Sequence, residues 1–280
     1  MLTLVDVLQK TEAWFRQHGI ESARLDAELV LAHSLGTDRL QLYLQHDRPL
    51  TAAELEALRG LVARRAHREP MAWILGTKGF HAIDLAVRPG VLVPRPDTET
   101  LVDAALALIA EDEEVFVADV GCGSGAVGLA VAHARPGVRV YATDLAEEAL
   151  ACTRDNVTRL GLEQRVAVLR GDLLAPIPAH RPIDLVLSNP PYVTTAELAG
   201  LAPEVRDHEP RLALDGGRDG LDVIRRLLPE AVRRARRAVL VEIGHQQGAI
   251  VRRICEEAGL TEVTVLPDLA GHDRVVRGVC

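Results

Sequence analysis

Aromatic residues are scarce: Phe, Trp and Tyr make up only 3% of the 280 residues. A core built on stacked rings is therefore excluded. Leu, Val, Ile and Ala must fill the interior, and a hydrophobic content of 48% suffices for that. Cysteine is also sparse, standing at positions 122, 152, 255 and 280. No CxxC and no Cys/His spacing of a zinc site occurs, so neither a disulfide framework nor a metal site is expected. No apolar run approaches the ~20 residues of a membrane span. The opening MLTLVDVLQKTEAWF carries acids early and no basic region before an apolar stretch, which predicts no secretory signal and a cytoplasmic protein. Basic charge is not in excess either. The net charge is -8, with ten basic and ten acidic residues in the first 78 positions and the whole deficit beyond them. A strongly basic nucleic-acid footprint is thereby excluded. One local exception, RRLLPEAVRRARR at 225–237, holds six Arg against one Glu and is expected to be a solvated helix face. Low-complexity tracts and internal repeats are missing.

What is present divides into three parts. Residues 1–75 carry helical spacing: Leu25, Leu29 and Ala32 recur on one stripe, with Asp26 and Glu28 between them. Thr51 and Glu54 form a capping box ahead of LEALRGLVARRA, and Pro70 ends the series. Residues 76–97 change period. Phe80–Val87 alternates like a strand, and Pro89-Gly90 turns it into Val91-Leu92-Val93, predicting a hairpin that links two domains. From residue 98 to 280, helices and apolar strands alternate: a helix over 99–110, the strand FVADVG, a helix over 126–134, VRVYATD, a helix over 147–160, RVAVLRGD, IDLVLSNPPY, a helix over 221–235, AVLVEIG, a helix over 247–258, TEVTVLP and DRVVRGV. This predicts an α/β fold, a mainly parallel sheet covered by helices on both faces. The last two strands have only DLAGH between them and should form a hairpin, placing one antiparallel strand in the sheet.

The chemistry lies at strand ends. Asp119 precedes Gly121-Cys122-Gly123-Ser124-Gly125, where a first strand meets a first helix. Glycines there let backbone approach a ligand and adopt angles other residues refuse. The pattern alone would also suit a nicotinamide or flavin site. An acid at 119, however, suits a ligand with a cationic amino-acid end better than a pyrophosphate. Asp144 ends the second strand, where an acid accepts from ribose hydroxyls. Asp172 ends the third, positioned to accept from an adenine amino group while Leu173 packs on the base.

The fourth strand runs into Asn189-Pro190-Pro191-Tyr192. Two prolines stiffen this turn and restrict Asn189. A planar amide or exocyclic amino nitrogen is a poor nucleophile, because its lone pair is delocalised. A pocket helps by accepting its two N–H hydrogens. The Asn189 side chain and the Pro190 carbonyl offer the two acceptors, and Tyr192 offers a flat wall. Accepting both hydrogens aligns the nitrogen with a methyl group on a sulfonium and favours the charge that builds on it. S-adenosylmethionine is the expected cofactor. His245 lies beyond a strand end without metal partners.

These motifs together resemble the release factor glutamine methyltransferases. The resemblance rests on GCGSG, NPPY, Arg95-Pro96-Asp97-Thr98-Glu99, EPRLALDGGRDG at 209–220, EIGHQQG at 242–248 and DLAGHDRVV at 268–276, and spans nearly the whole chain. It implies a class I, Rossmann-like methyltransferase domain with a seven-stranded sheet, preceded by the small helical domain and the hairpin. It implies methylation of the N5 nitrogen of the glutamine in the Gly-Gly-Gln motif of peptide chain release factors. By matched position it implies that residues 121–125 hold the cofactor's amino-acid end, Asp144 the ribose, and Asp172 and Leu173 the adenine, with Asp119 and Asn189 also at the cofactor. Asn189, Pro190, Pro191 and Tyr192 hold the glutamine, with Arg95 and Glu99 near it, and the N-terminal helices dock the release factor. Several relatives have Trp where this chain has Leu173, which weakens stacking on adenine. The expected partners are release factors, with no stable nucleic-acid partner, no membrane and a monomeric free state.

NPPY is shared with adenine-N6 methyltransferases of DNA or RNA, the nearest rival. The charge, the lack of a target-recognition domain and the RPDTE match oppose it. A nicotinamide oxidoreductase has no use for NPPY. A non-catalytic cofactor-binding module would have lost Asn189 or a glycine, and none is missing.

Overall fold

A computed structural model describes residues 2–280, in two compact units. The first comprises residues up to Gly76 together with Pro203–His208, and the second comprises Thr77–Ala202 and Glu209–Cys280. The chain thus leaves the second unit and returns to it within six residues.

In the first unit, α1 (Leu4–Gln17) starts at a capping box between Thr3 and Asp6, and α2 (Ala23–Leu35) stops at Gly36, whose φ of 63° ends a helix without a Cβ clash. Next come α3 (Arg39–Leu44), α4 (Ala52–Ala66), which carries the Thr51/Glu54 capping box expected from sequence, and α5 (Met71–Leu75). Leu8, Phe15, Val30, Leu31 and Leu42 form the core. The expected stripe on α2 is corrected. Leu25 is exposed, whereas Asp26 and Glu28 are buried beside Ala23, Ala27, Val30 and Leu31. The acids turn inward because cations meet them there. Arg65 Nε donates to Asp26 at 2.7 Å, and Glu28 accepts from Arg24, Arg39 and Tyr43. Glu204, in the short α9 (Pro203–Arg206), joins this unit through Arg65 at 2.9 Å and Arg68 at 2.8 Å.

The second unit opens with a hairpin of β1 (Thr77–Phe80) and β2 (Ile83–Ala86). The reversal falls at His81-Ala82, not at Pro89-Gly90 as expected, and Val91–Val93 is no strand. Phe80 and Ile83 are both buried. In one continuous strand, residues three apart face opposite sides, whereas paired across a two-residue turn they share a face. Burying both requires the earlier turn.

The sheet has seven strands: β3 (Val115–Val120), β4 (Val138–Asp144), β5 (Val166–Arg170), β6 (Ile183–Ser188), β7 (Ala235–Glu242), β8 (Thr261–Pro267) and β9 (Asp273–Val279). Their order is β5-β4-β3-β6-β7-β9-β8, and β9 alone runs antiparallel to its neighbours. The expected terminal hairpin is present, with β9 placed inside it against β7. Alternate residues serve two cores, Val117, Leu185 and Leu187 on one face and Ala118, Val120 and Val186 on the other. The covering helices are α6 (Glu99–Leu106), α7 (Ala126–Ala134), α8 (Glu147–Arg159), α10 (Asp222–Arg234) and α11 (Gly248–Glu257). Helix α6 is shorter than expected, since beyond Leu106 the amides of Leu108 and Ile109 bond three residues back and tighten the turn. Strand order reverses between β3 and β6, and ligands of open α/β sheets bind at such a switch point.

Candidate active site

The glycine loop and the NPPY turn leave adjacent strands in register, Val120 of β3 opposite Ser188 of β6. They therefore open side by side onto one cavity, lined among others by Asp119, Gly121, Gly123, Asp144, Leu173 and Asn189. Gly121 and Gly123 have φ of 72° and 57°, and a Cβ on either would point into open space. The backbone needs glycine there, and the space beside it is available to a ligand. Gly125 differs: its Cβ would lie 2.8 Å from Leu129, so packing excludes a side chain.

The loop is held from behind. Gly123 N–H donates to Asp144 Oδ2 at 3.0 Å, and Ala146 N–H donates to Oδ1 at 2.9 Å. Thr153 donates to the Gly123 carbonyl, and Asn156 Nδ2 donates to the Ser124 carbonyl at 2.9 Å. Asn156 is fully buried and also exchanges hydrogen bonds with the Ala86 backbone, tying the loop to the hairpin. Sequence reasoning missed Asn156; a polar residue on the buried face of α8 was its only signal. Asp119 Oδ2 accepts from the Gly128 N–H at 2.8 Å, capping α7 from the preceding strand. Burial first, then the charge of Asp144, pushes the Asp119 carboxyl up to about 7, against the pull of that N–H. Asp172 pairs with Arg226. Leu173 holds a left-handed φ of 48°, its carbonyl accepting from the Thr143 hydroxyl at 2.8 Å. With Asp172 and Leu173 lining it together with the glycine loop, the cavity gathers the residues assigned from sequence to a nucleoside bearing an amino-acid end, except Gly125, which packs against Leu129 instead.

On the other side, Asn189, Pro190 and Pro191 line the cavity. Asn189 Nδ2 donates to Thr98 Oγ1 at 3.1 Å, its one side-chain hydrogen bond among the described residues, which leaves Oδ1 without a donor. Tyr192 stands behind this wall, its hydroxyl 3.5 Å from Glu242 Oε1 and its carbonyl accepting from Gln247 Nε2 at 3.1 Å. Burial, with the nearby Glu242 charge, pushes the Tyr192 phenol up to about 12. The glycines of EPRLALDGGRDG explain themselves here. A Cβ on Gly216 would fall 2.6 Å from the Pro191 carbonyl, and one on Gly220 would fall 2.2 Å from that of Tyr192. Only bare backbone fits against the turn.

Arg95 reaches the cavity but is clamped, its Nη2 at 2.7 Å from both oxygens of buried Glu209. Glu99 is not brought to the cavity; its carboxylate accepts from the His81 N–H at the hairpin turn, 3.0 Å away. Three of the six arginines in the Arg-rich segment are paired with acids, Arg225 with Asp219, Arg226 with Asp172 and Arg237 with Glu113, while Arg233 and Arg236 are exposed.

Comparison with known proteins fits this geometry. Residues 6–76 match the family described as PrmC N-terminal domain, and residues 98–205 match Methyltransferase small domain. A release factor glutamine methyltransferase of Geobacter sulfurreducens is 42% identical over 278 residues, covering 99% of this chain and 96% of that protein. The chain belongs to the release factor glutamine methyltransferase family. A second member, from Caulobacter vibrioides, is also 42% identical, over 280 residues, covering 99% of this chain and 96% of its own length. Among solved structures, the hMettl16 catalytic domain in complex with MAT2A 3'UTR hairpin 1 aligns with a TM-score of 0.60 at 16% identity, covering 78% of this chain and 79% of that one. A methyltransferase from Pyrococcus furiosus aligns with a TM-score of 0.52 at 18% identity, covering 70% and 88%. These two likenesses speak for the shared fold alone. The membership makes the protein a methyltransferase, as its NPPY and glycine loops predict. No helix among the described residues is long and apolar enough to cross a membrane.

Proposed function

We propose that this protein transfers a methyl group from S-adenosylmethionine to the side-chain amide nitrogen of the glutamine in the Gly-Gly-Gln motif of peptide chain release factors, in the cytoplasm. One observation carries the reading: Asn189 lines the cavity on a stiffened turn with its Nδ2 held by Thr98 Oγ1, while no donor among the described residues takes its side-chain oxygen. Family membership supports the same reaction.

When bound, S-adenosylmethionine supplies a methyl group already activated by its positive sulfur. The chain's residues arrange the rest. Gly121 and Gly123 leave room for the cofactor's amino-acid end. The Asp144 oxygens each keep a lone pair beyond their backbone donors, and these accept from ribose hydroxyls. Asn189 Oδ1 accepts one amide hydrogen of the glutamine and the Pro190 carbonyl the other. The nitrogen is thereby oriented toward the methyl carbon, and the positive charge it gains is stabilised. That nitrogen then releases one hydrogen as a proton.

The helical unit recognises the release factor. Its charge is balanced, and Trp14, Leu40, Tyr43 and Leu44 are exposed apolar side chains on it, suited to a protein surface. The deciding experiment offers labelled cofactor to purified release factor and, separately, to adenine-containing nucleic acid. Label on the release factor alone upholds the reading, and label on adenine alone overturns it.

A further inference from the structure

Behind Asn189 lies a polar chain with no place in the motif-based reading. Thr98, one residue ahead of α6, is 3% exposed, and its hydroxyl accepts from Asn189 Nδ2 at 3.1 Å. Glu242, at the end of β7, is 1% exposed. Strands β6 and β7 pair Ser188 with Val241, so Glu242 and Asn189 emerge side by side. The Tyr192 hydroxyl lies 3.5 Å from Glu242 Oε1 and the Thr98 hydroxyl is near enough to favour the charged carboxyl, but no Thr98–Glu242 hydrogen bond closes in this structure and Oε2 has no partner among the described residues. Arg274 supports the charge and Asp97 opposes it. A carboxyl so buried and so incompletely paired is costly and calls for a role.

We propose that Thr98 is a positioning residue that sets which face of the Asn189 amide meets the substrate, with Glu242 keeping the Thr98 hydroxyl in its accepting orientation. The proposal rests on the reading of Asn189 as the acceptor for the glutamine amide. An Asn side chain turned by 180° exchanges oxygen for NH₂ at almost the same shape. Turned that way, Asn189 would aim donors at a substrate that also offers donors, and the site would repel its own substrate. A neutral hydroxyl has one hydrogen to give and lone pairs to accept with. With its hydrogen directed to the Glu242 carboxylate, Thr98 can only accept from Asn189. The NH₂ is then held at the back and the oxygen faces the cavity. Burial pushes the Glu242 carboxyl up to about 7, so at neutral pH the ionised form that enforces this orientation is substantially present.

The test joins kinetics to a direct view of the amide. Thr98→Val keeps the shape and removes the hydroxyl. It should lower kcat about tenfold or more, in the manner of a mispositioned transition-state acceptor, while cofactor KM hardly changes. Thr98→Ser should retain most activity. In an Asn189→Ala background, Thr98→Val should cost nothing further, because the group it positions is gone. Losses that multiply in the double variant would overturn the proposal, as would a Thr98→Val enzyme of wild-type kcat. Independently of any substrate, the Asn189 side-chain amide is identified by nuclear magnetic resonance as the ¹⁵N pair missing from Asn189→Asp. Its hydrogen toward Thr98 should be protected in wild type and Thr98→Ser, and should lose protection in Thr98→Val and shift in Glu242→Gln. An unchanged pair in Thr98→Val refutes the positioning role. Should wild type leave release factor unlabelled, the proposed function fails and this resonance decides the positioning role on its own.

Discussion

Replacing Glu242 with Gln should stabilise the sheet unit at alkaline pH, by an amount that grows with pH in a defined window. Burial raises the carboxyl from its ordinary 4.5 to about 7. The folded state therefore holds the proton more tightly than the unfolded state. Whatever stability this gives is fully present below the unfolded value, is lost as pH rises through the folded one, and then levels off. The full loss is roughly 3 kcal/mol, from about 1.4 kcal/mol per pH unit over that interval. About three-fifths of it falls between roughly pH 5.5 and 8.5, where both proteins can be handled. Gln does not titrate, so the gap between variant and wild type should open by about 2 kcal/mol across that range, in favour of Gln. Asp119, also pushed up to about 7, titrates in both proteins and cancels from the difference. Urea unfolding should be followed by circular dichroism, because both tryptophans, Trp14 and Trp73, lie in the helical unit. A gap that ignores pH, or that widens toward acid, refutes the picture of a buried, under-paired carboxyl.

Other expectations concern the cofactor and the helical unit. Asp144→Ala should weaken S-adenosylmethionine binding by roughly 1–3 kcal/mol, the worth of a charge-assisted hydrogen bond, and calorimetry showing normal affinity would move the ribose contact elsewhere. Gly123→Val places branched carbon into the open space beside a left-handed backbone, so calorimetric binding should collapse while the dichroism spectrum stays folded. Arg65→Ala leaves Asp26 buried without its cation and frees Glu204 from one of its two; it should destabilise the helical unit by about 3–5 kcal/mol, read by tryptophan fluorescence in urea. An unshifted midpoint would show that this network contributes little.

The alternating pattern was legible because a buried parallel sheet demands continuous apolar strands, and VRVYATD, TEVTVLP and DRVVRGV became β4, β8 and β9 with their expected ends. Local geometry was legible where one short segment carries it, as in the three left-handed glycines and the placing of the Asn189 turn at the cavity. What escaped depends on residues far apart in the chain. Asp26 and Glu28 look like solvent-facing acids until Arg65 and Arg39 close on them. The hairpin turn was misplaced because Pro89-Gly90 is the stronger local signal, whereas burial of both Phe80 and Ile83 decides the outcome. Thr98 and Glu242 sat inside recognised motifs, but the pairing of β6 with β7 is what brings Glu242 beside Asn189. Glu99 is the converse case: a neighbour of Thr98 in sequence, it points to the hairpin rather than to the cavity.

The central claim is that Asn189 accepts a hydrogen from a glutamine amide of a release factor while that nitrogen is methylated. Mass spectrometry of tryptic peptides from release factor, incubated with enzyme and S-adenosylmethionine, tests it most directly. Wild type should add the mass of one CH₂ to the Gly-Gly-Gln peptide, with fragmentation placing it on the glutamine side chain. Asn189→Ala should bind cofactor normally yet methylate about 100-fold more slowly or worse, the cost of one lost transition-state hydrogen bond. A release factor with Gln→Glu in the motif should stay unmodified. A methyl group placed elsewhere on the release factor, or full activity in Asn189→Ala, would contradict the account.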